Sequence, residues 1–191
     1  MVRAPATDPP RDPERVALMI DLLSLDRAEL MELLRNGHPI DPRALDDTEY
    51  HGVSLGLPRV VEALTWKKFK KTFHRDPKTG VLRGWNVREE QNGLDAPWID
   101  RRDKSDAPLS FGHYQVVDPR GRKIPAGCDR GLLIDYGRAR LRDPIVALQK
   151  NDASLLLGWT YLDLGFARVG TPSFFSLTRG GPLSYRADSS S

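Results

Sequence analysis

The chain has 191 residues and a formal net charge of +3. Hydrophobic residues make up 39% of it and charged residues 29%, which are ordinary proportions for a soluble globular protein. A domain of this length buries enough apolar surface to fold without disulfides or a metal. No run of 18 apolar residues occurs, so no transmembrane segment is predicted, and the N-terminus lacks the apolar core of a secretory signal, which predicts a cytoplasmic location.

Metal and redox chemistry have little support in the sequence. Cys128 is the only cysteine, which excludes an internal disulfide, and it lacks a zinc-binding spacing. The four histidines are not spaced as metal ligands, and no Walker loop, dinucleotide fingerprint, GxSxG or HExxH motif occurs. We therefore expect neither a bound metal nor a cofactor.

The charge is unevenly distributed along the chain. Residues 1–50 contain eleven acidic residues and six arginines, whereas residues 59–88 contain nine lysines and arginines and two acidic residues. This asymmetry permits an electrostatic match inside the molecule, between an acidic helical arm and a basic sheet.

The N-terminal region predicts a disordered tail followed by a helical hairpin. Residues 1–11 are rich in proline and are expected to be disordered. Residues 12–37 carry two helical patterns, and the first opens on an Asp-Pro pair typical of a helix start. The second has a capping box formed by Asp26 and Glu29, and Gly37 follows as its C-cap. We expect this hairpin to pack on the remaining domain.

Residues 47–179 have the pattern of a mainly β domain. Short runs rich in Val, Ile, Tyr, Trp, Phe and Thr alternate with Gly, Pro, Asn and Asp. The turns DPKTG, DPRG and KNDA join neighbouring runs, so successive antiparallel strands should form a meander. Eight such strands are expected to close into a lipocalin-like barrel, which removes exposed edges and leaves room for side chains or one small ligand. A short helix is predicted at PRVVEAL, and a C-terminal tail at 180–191. The predicted strands are 47–54, 66–74, 81–91, 109–117, 130–137, 144–150, 154–164 and 171–179.

A basic and aromatic stretch, WKKFKKTFHRDPKTGVLRGW, occupies residues 66–85. Its DPKTG turn and the alternation that follows favour a β-hairpin. On the first strand Phe69, Lys71 and Phe73 share one face, so neither face is fully apolar. Nucleic-acid binding requires exposed rings along a basic track, and no known nucleic-acid-binding motif accompanies this stretch. We therefore expect a solvated basic surface in preference to a nucleic-acid contact or a handle for an anionic ligand.

Two histidines are candidates for acid–base chemistry. His51 and His113 lie in predicted strands, next to Tyr50 and Tyr114 respectively. Successive side chains of a strand point to opposite faces, so one member of each pair can face the barrel interior. A neutral core histidine is the simpler interpretation of both.

The motif GLLIDYG, residues 131–137, supplies two further candidates, Asp135 and Tyr136. Alternation places the aspartate on a face with apolar neighbours, so we expect it to be buried at least in part. A buried carboxylate is either paired or raised in pKa, and either state is useful in a ligand pocket. A salt bridge to an arginine such as Arg83 or Arg88 is the favoured interpretation.

The segment SLLLGWTYLDLG, residues 154–165, is apolar on both faces. This is expected for a strand with a cavity on one side and the helical hairpin on the other. Its aromatic residues form an apolar wall with a polar tip, as ligand pockets often do. The predicted ligand-binding residues are Trp85, His113, Asp135, Trp159 and Tyr161.

Several segments resemble a known family when taken in order. They are Tyr50-His51-Gly52, the hairpin with Gly84-Trp85, LLIDYG, LLLGWTYLD and SFFSLTR. Together they resemble the uncharacterised bacterial domains named for a Gly-x-Trp-x-Gly signature and, more broadly, the lipocalin-like or calycin group. The resemblance implies a barrel with a pocket and does not imply a reaction.

Three functions are compatible with this sequence. The favoured one is binding of a hydrophobic small molecule in the barrel. The alternative is an isomerase, cyclase or hydratase that needs no cofactor, with Asp135, His51, His113 or Tyr136 as acid or base. Two of these groups in one cavity would favour the enzyme. The least favoured function is nucleic-acid or anion binding through the basic hairpin, and the sequence leaves the oligomeric state open.

Overall fold

The computed structural model describes residues 22–56 and 67–186 of the chain. Most of the predicted first helix lies outside these residues, although 22–24 are helical, and the helix predicted at PRVVEAL also lies outside them. No helix of the described part is long and apolar enough to cross a membrane.

Helix α1, Arg27–Asn36, begins as predicted. Asp26 accepts hydrogen bonds from the backbone N–H groups of residues 28 and 29, and the Glu29 side chain accepts one from the Asp26 N–H. Gly37 ends the helix in an extended conformation, not in the left-handed one of a glycine cap. A Cβ atom there would lie 2.3 Å from Val146 Cγ2, so glycine is required because the chain passes so close to the barrel.

The eight predicted strands are all present. They are β1 Thr48–Leu55, β2 Lys68–Arg75, β3 Leu82–Arg88, β4 Ser110–Val117, β5 Leu132–Asp135, β6 Leu141–Gln149, β7 Asp152–Asp163 and β8 Arg168–Pro182.

The strands form a closed antiparallel barrel, as predicted. Each strand pairs with the next along the chain, and β1 pairs with β8 to close the ring. In this closing pair Thr48 lies opposite Pro182 and Leu55 lies opposite Phe174. The last strand therefore extends beyond the predicted boundary at residue 179.

Two apolar clusters lie on opposite sides of the barrel wall. The inner cluster fills one end of the barrel, where the 3-10 helix Pro42–Leu45 contributes the buried Leu45. The outer cluster joins the buried face of α1 to the outside of the sheet, where α1 contacts β6, β7 and β8. Strand β7 accordingly has apolar residues on both faces. Residues of the inner cluster include Tyr50, Phe73, Tyr114, Ile134, Leu156 and Leu177, and those of the outer cluster include Leu30, Leu34, Val146, Leu155 and Leu157.

The basic stretch forms the predicted hairpin of β2 and β3, but the prediction of a solvated basic surface is wrong. Lys68, Lys70 and Lys71 are only 1%, 7% and 2% exposed. The ammonium groups of Lys68 and Lys70 point to the outside of the barrel, where the connection between β3 and β4 supplies carboxylate and carbonyl oxygen atoms as their partners. Lys70 Nζ lies 2.7 Å from Asp100 Oδ1, and Lys68 Nζ donates to Asn92 Oδ1 at 2.7 Å.

Candidate functional site

The end of the barrel opposite Pro42–Leu45 contains a pocket of about 240 Å³. It is bordered by residues near the end of β1 and the start of β2, and by the corresponding ends of the other strands. Aromatic rings and polar groups share its lining. The lining residues are Ser54, Phe69, Lys71, Asn86, Phe111, Tyr136, Asp143, Thr160, Ser173, Phe174 and Phe175.

A buried lysine forms the polar centre of this pocket. Lys71 Nζ donates hydrogen bonds to Asn86 Oδ1 at 3.0 Å, to the Tyr136 hydroxyl at 2.5 Å and to Asp143 Oδ2 at 3.3 Å. The Tyr136 hydroxyl in turn donates to the same Asp143 oxygen at 2.9 Å. An amine on β2, a phenol just after β5 and a carboxylate on β6 are therefore in mutual contact.

Aromatic rings surround the ammonium group. Its nitrogen lies 5.0 Å from the ring centroids of Tyr114 and Phe175, 5.1 Å from that of Tyr136 and 5.7 Å from that of Phe69. Rings at such distances attract a cation through their quadrupoles, and they also exclude water. The ammonium is therefore stabilised by rings and hydrogen bonds in place of solvent.

Burial shifts the protonation equilibria of this group. It lowers the pKa of Lys71, and the nearby negative charge of Asp143 opposes this effect without reversing it. Burial raises the pKa of Tyr136 well above its ordinary value, and Asp143 adds to that increase. The phenol is therefore a proton donor at neutral pH, and the amine loses its proton more readily than a lysine in water.

One carboxylate oxygen of the cluster has no hydrogen-bond partner among the described residues. Asp143 is 2% exposed, and its Oδ2 receives both hydrogen bonds of the cluster, while its Oδ1 receives none. An unsatisfied buried acceptor destabilises the folded state. A single interaction with Oδ1 would remove that cost.

Two glycines allow the aromatic rings to lie across the barrel. A Cβ atom on Gly52 would be 2.4 Å from the Phe69 ring, and one on Gly158 would be 2.3 Å from the Phe175 ring. Any larger residue at either position would push its ring into the pocket, so the absence of these side chains keeps the pocket open.

Of the four predicted acid–base candidates, only Tyr136 faces this pocket. Asp135 points to the outer side of β5, because the strand alternates, and it forms ion pairs with Arg142 at 3.0 Å and Arg122 at 3.4 Å. The favoured salt bridge is present, but its predicted partners, Arg83 and Arg88, are not the ones used. The structure places both arginines elsewhere on the barrel because they belong to β3, which does not pair with β5.

The two histidines lie on the outer surface. His51 stacks on Trp98 with ring centroids 4.4 Å apart, while the neighbouring Tyr50 faces the interior. His113 is exposed and lies beside Trp85, with centroids 6.1 Å apart. Neither histidine lines the pocket, and neither does Trp85.

Two more predicted ligand-binding residues, Trp159 and Tyr161, lie on the helix side of β7. They belong to the outer apolar cluster with α1, and Trp159 Nε1 donates to the carbonyl oxygen of Thr171 at 2.9 Å. Their strand neighbour Thr160 lines the pocket instead. The apolar surface predicted to line a ligand pocket is therefore the surface on which α1 packs.

Sequence reasoning missed Lys71, Asn86 and Asp143 as pocket residues. The available signal was the lysine between Phe69 and Phe73 on one strand face, because a charged residue flanked by rings on the core side needs a buried partner. That partner, Asp143, is 72 positions away along the chain, and nothing local in the sequence connects the two residues.

Comparison with protein-family models, curated proteins and solved structures gives no match for this chain. Within the described residues, no group of three or more His, Cys, Asp or Glu side chains is arranged to hold a metal ion.

Proposed function

We propose that the protein binds a small, flat and largely apolar molecule that carries one polar group, in the pocket at the open end of the barrel. The observation that carries this proposal is the pocket of about 240 Å³ with a buried Lys71–Asp143–Tyr136 cluster surrounded by aromatic rings. Apolar lining with a few convergent polar groups is the usual composition of a small-molecule site.

The cost of the buried ion pair supports a functional role. Replacing such a pair by apolar residues of similar volume is often neutral or stabilises a protein by about 1–4 kcal/mol. At the other end of the barrel, the interior is filled mainly by apolar side chains of the inner cluster. An apolar interior is therefore compatible with this fold. Perturbed ionisable groups gathered in a cleft are typical of binding and catalytic sites.

The pocket volume limits the size of the ligand. Sites for drug-sized molecules span about 300–1,000 Å³, and this pocket is smaller, at about 240 Å³. A molecule with one six-membered ring and a short polar substituent matches it. The ring would contact Phe69 and Phe175, and the polar substituent would meet the cluster at Lys71.

The competing functions receive less support. Only one of the four predicted acid–base candidates, Tyr136, faces the pocket. Nucleic-acid binding through the basic hairpin would need exposed lysines, whereas Lys68, Lys70 and Lys71 are buried.

Isothermal titration calorimetry against a panel of one-ring compounds tests the proposal. The panel contains benzyl alcohol, cinnamyl alcohol and 4-methylphenol. Calorimetry is preferable to tryptophan fluorescence, because Trp85 and Trp159 lie outside the pocket. We expect saturable binding of at least one compound.

The variant Thr160→Phe places a ring inside the pocket and should weaken this binding by roughly tenfold or more, which corresponds to about 1.4 kcal/mol. Val169→Phe is the matched control, because Val169 is 48% exposed and does not line the pocket. Failure of every compound to bind would refute the proposal. Equal affinities of the wild type and Thr160→Phe would place the binding site elsewhere.

A further inference from the structure

We propose that Lys71 condenses with the carbonyl group of a small aromatic or α,β-unsaturated aldehyde held in the pocket, and forms an imine with it. This inference rests on the proposed binding function and names its ligand class. It stands on the position of the amine at the pocket and on the two groups that contact it.

The pocket brings the amine together with both a proton donor and a proton acceptor. Among the lining residues Lys71 carries the one primary amine. Its nitrogen contacts the Tyr136 hydroxyl and the Asp143 carboxylate, which also contact each other. Lysines in apolar pockets act as nucleophiles towards carbonyl groups when a neighbouring group accepts the proton.

Burial of the amine favours its neutral form, and the charge of Asp143 opposes that effect without reversing it. Among the described residues, those that titrate and face it are Asp143 on β6, Tyr136 just after β5 and Tyr114 on β4. Both tyrosine pKa values are raised by burial, so the phenols remain neutral, and Asp143 is the single charged partner within residues 22–56 and 67–186. Transfer of one proton from Nζ to Asp143 Oδ2, 3.3 Å away, converts the ion pair into a neutral amine and a carboxylic acid.

Condensation can proceed with these groups alone. The Nζ lone pair attacks the carbonyl carbon and forms the C–N bond, while the carbonyl oxygen takes the Tyr136 proton. The new ammonium then returns one proton to the phenolate, which leaves a neutral carbinolamine. Asp143 next donates its proton to the carbinolamine hydroxyl, the C–O bond breaks, and water leaves as the nitrogen lone pair forms C=N.

The products conserve charge in the pocket. One ammonium and one carbonyl compound become one protonated imine and one water molecule, and Asp143 is again a carboxylate beside a cation. No oxidant or reductant is consumed. A carboxylic acid ligand would instead place a second negative charge beside Asp143, which is unfavourable at low dielectric. This difference favours an aldehyde over an acid as the ligand.

Reductive trapping tests the inference. Wild-type protein is incubated at pH 7 with cinnamaldehyde and sodium cyanoborohydride, and the labelled lysines are quantified by peptide mass spectrometry. Exposed lysines with a pKa of about 10.4 are almost entirely protonated at this pH and react slowly. We expect Lys71 to be labelled at least tenfold faster than the exposed Lys78, Lys104 and Lys150.

Cinnamyl alcohol serves as the competitor, because it has the same ring and chain but cannot form an imine. It should protect Lys71 and leave the exposed lysines unaffected. Tyr136→Phe should slow labelling of Lys71 by roughly a hundredfold, the usual contribution of a general acid. Lys71→Arg keeps the charge and should lose the pocket label.

The outcomes separate this inference from the binding proposal. If calorimetry detects cinnamyl alcohol in the pocket but Lys71 is labelled no faster than the exposed lysines, imine formation is refuted and the binding function stands. If neither the alcohol binds nor Lys71 is labelled, both fail. Preferential labelling that the alcohol does not prevent would also overturn the inference, since it would not depend on occupation of the pocket.

Discussion

Replacing both members of the buried ion pair should leave the protein more stable than replacing either one alone. Lys71→Met keeps the volume of the side chain and leaves Asp143 as an unpaired buried carboxylate. Asp143→Leu leaves an ammonium whose hydrogen-bond partners are Asn86 and Tyr136. Breaking a buried pair by removing one partner costs about 3–5 kcal/mol, because a buried charge remains without compensation.

The double variant Lys71→Met/Asp143→Leu removes both charges together. We expect its free energy of unfolding to equal that of the wild type within about 1 kcal/mol, or to exceed it by about 1–4 kcal/mol. The coupling free energy of the cycle should then be at least about 5 kcal/mol in magnitude, which is above the range of about 0.5–3 kcal/mol for most contacting residues.

Urea denaturation followed by far-ultraviolet circular dichroism measures all four proteins. Arg120→Met is the control, because the ion pair of Arg120 with Asp118 is largely exposed and its loss should not move the urea midpoint. A double variant as unstable as the single variants would refute the reasoning, since the pair would then contribute to stability and not to function.

Three further predictions concern the rest of the molecule. Burial, with the neighbouring Asp100, raises the pKa of Glu89 to about 8 from 4.5, so between those pH values this carboxyl is neutral in the folded protein and charged in the unfolded chain. The free energy of unfolding should therefore fall with rising pH across that window, by at most about 1.4 kcal/mol per pH unit. Glu89→Gln should flatten this pH dependence in urea denaturation from pH 5 to pH 8.5. Gly84→Ala should destabilise the protein by about 3 kcal/mol or more on urea denaturation, because the added Cβ would lie 1.9 Å from a carbonyl oxygen of β2. The Lys68 ammonium donates hydrogen bonds to four oxygen atoms of the connection between β3 and β4. Lys68→Met removes these bonds, so trypsin should cleave this connection faster after Arg101.

Each of these predictions has an opposite outcome. An unchanged pH slope in Glu89→Gln would mean that this carboxyl is charged in the folded protein. Wild-type stability of Gly84→Ala would mean that β2 and β3 can separate at no cost. Unchanged cleavage after Arg101 in Lys68→Met would mean that other contacts hold the connection in place.

The arrangement of strands is predictable because its determinants are local. Turn sequences such as DPKTG and the alternation of apolar residues set where each strand begins and ends, and a meander of eight strands has few ways to hide its edges. The capping box at Asp26 is equally local. Gly37 shows the limit, because its position is predicted but its reason is contact with Val146, which is distant in sequence.

The pocket is less predictable, because it depends on pairs that are far apart along the chain. Tyr136 could be selected from a motif, but its two partners in the cluster lie on β2 and β6. Lys71 resembles a surface residue among its neighbouring lysines, and Asp143 precedes a proline in a segment that indicates a turn. Alternation also leaves open which face of a strand is inside when both faces are apolar, as around Trp159.

A crystal structure obtained after soaking with 4-iodobenzyl alcohol would test the existence of the ligand site most directly, since the anomalous signal of iodine marks the position of the ring. We predict one strong iodine site inside the pocket, with the ligand ring packed against Phe69 and Phe175 and the alcohol oxygen within hydrogen-bonding distance of the Lys71–Asp143–Tyr136 cluster. Iodine found only on the outer surface, with the open end of the barrel occupied by the protein's own side chains, would contradict the account.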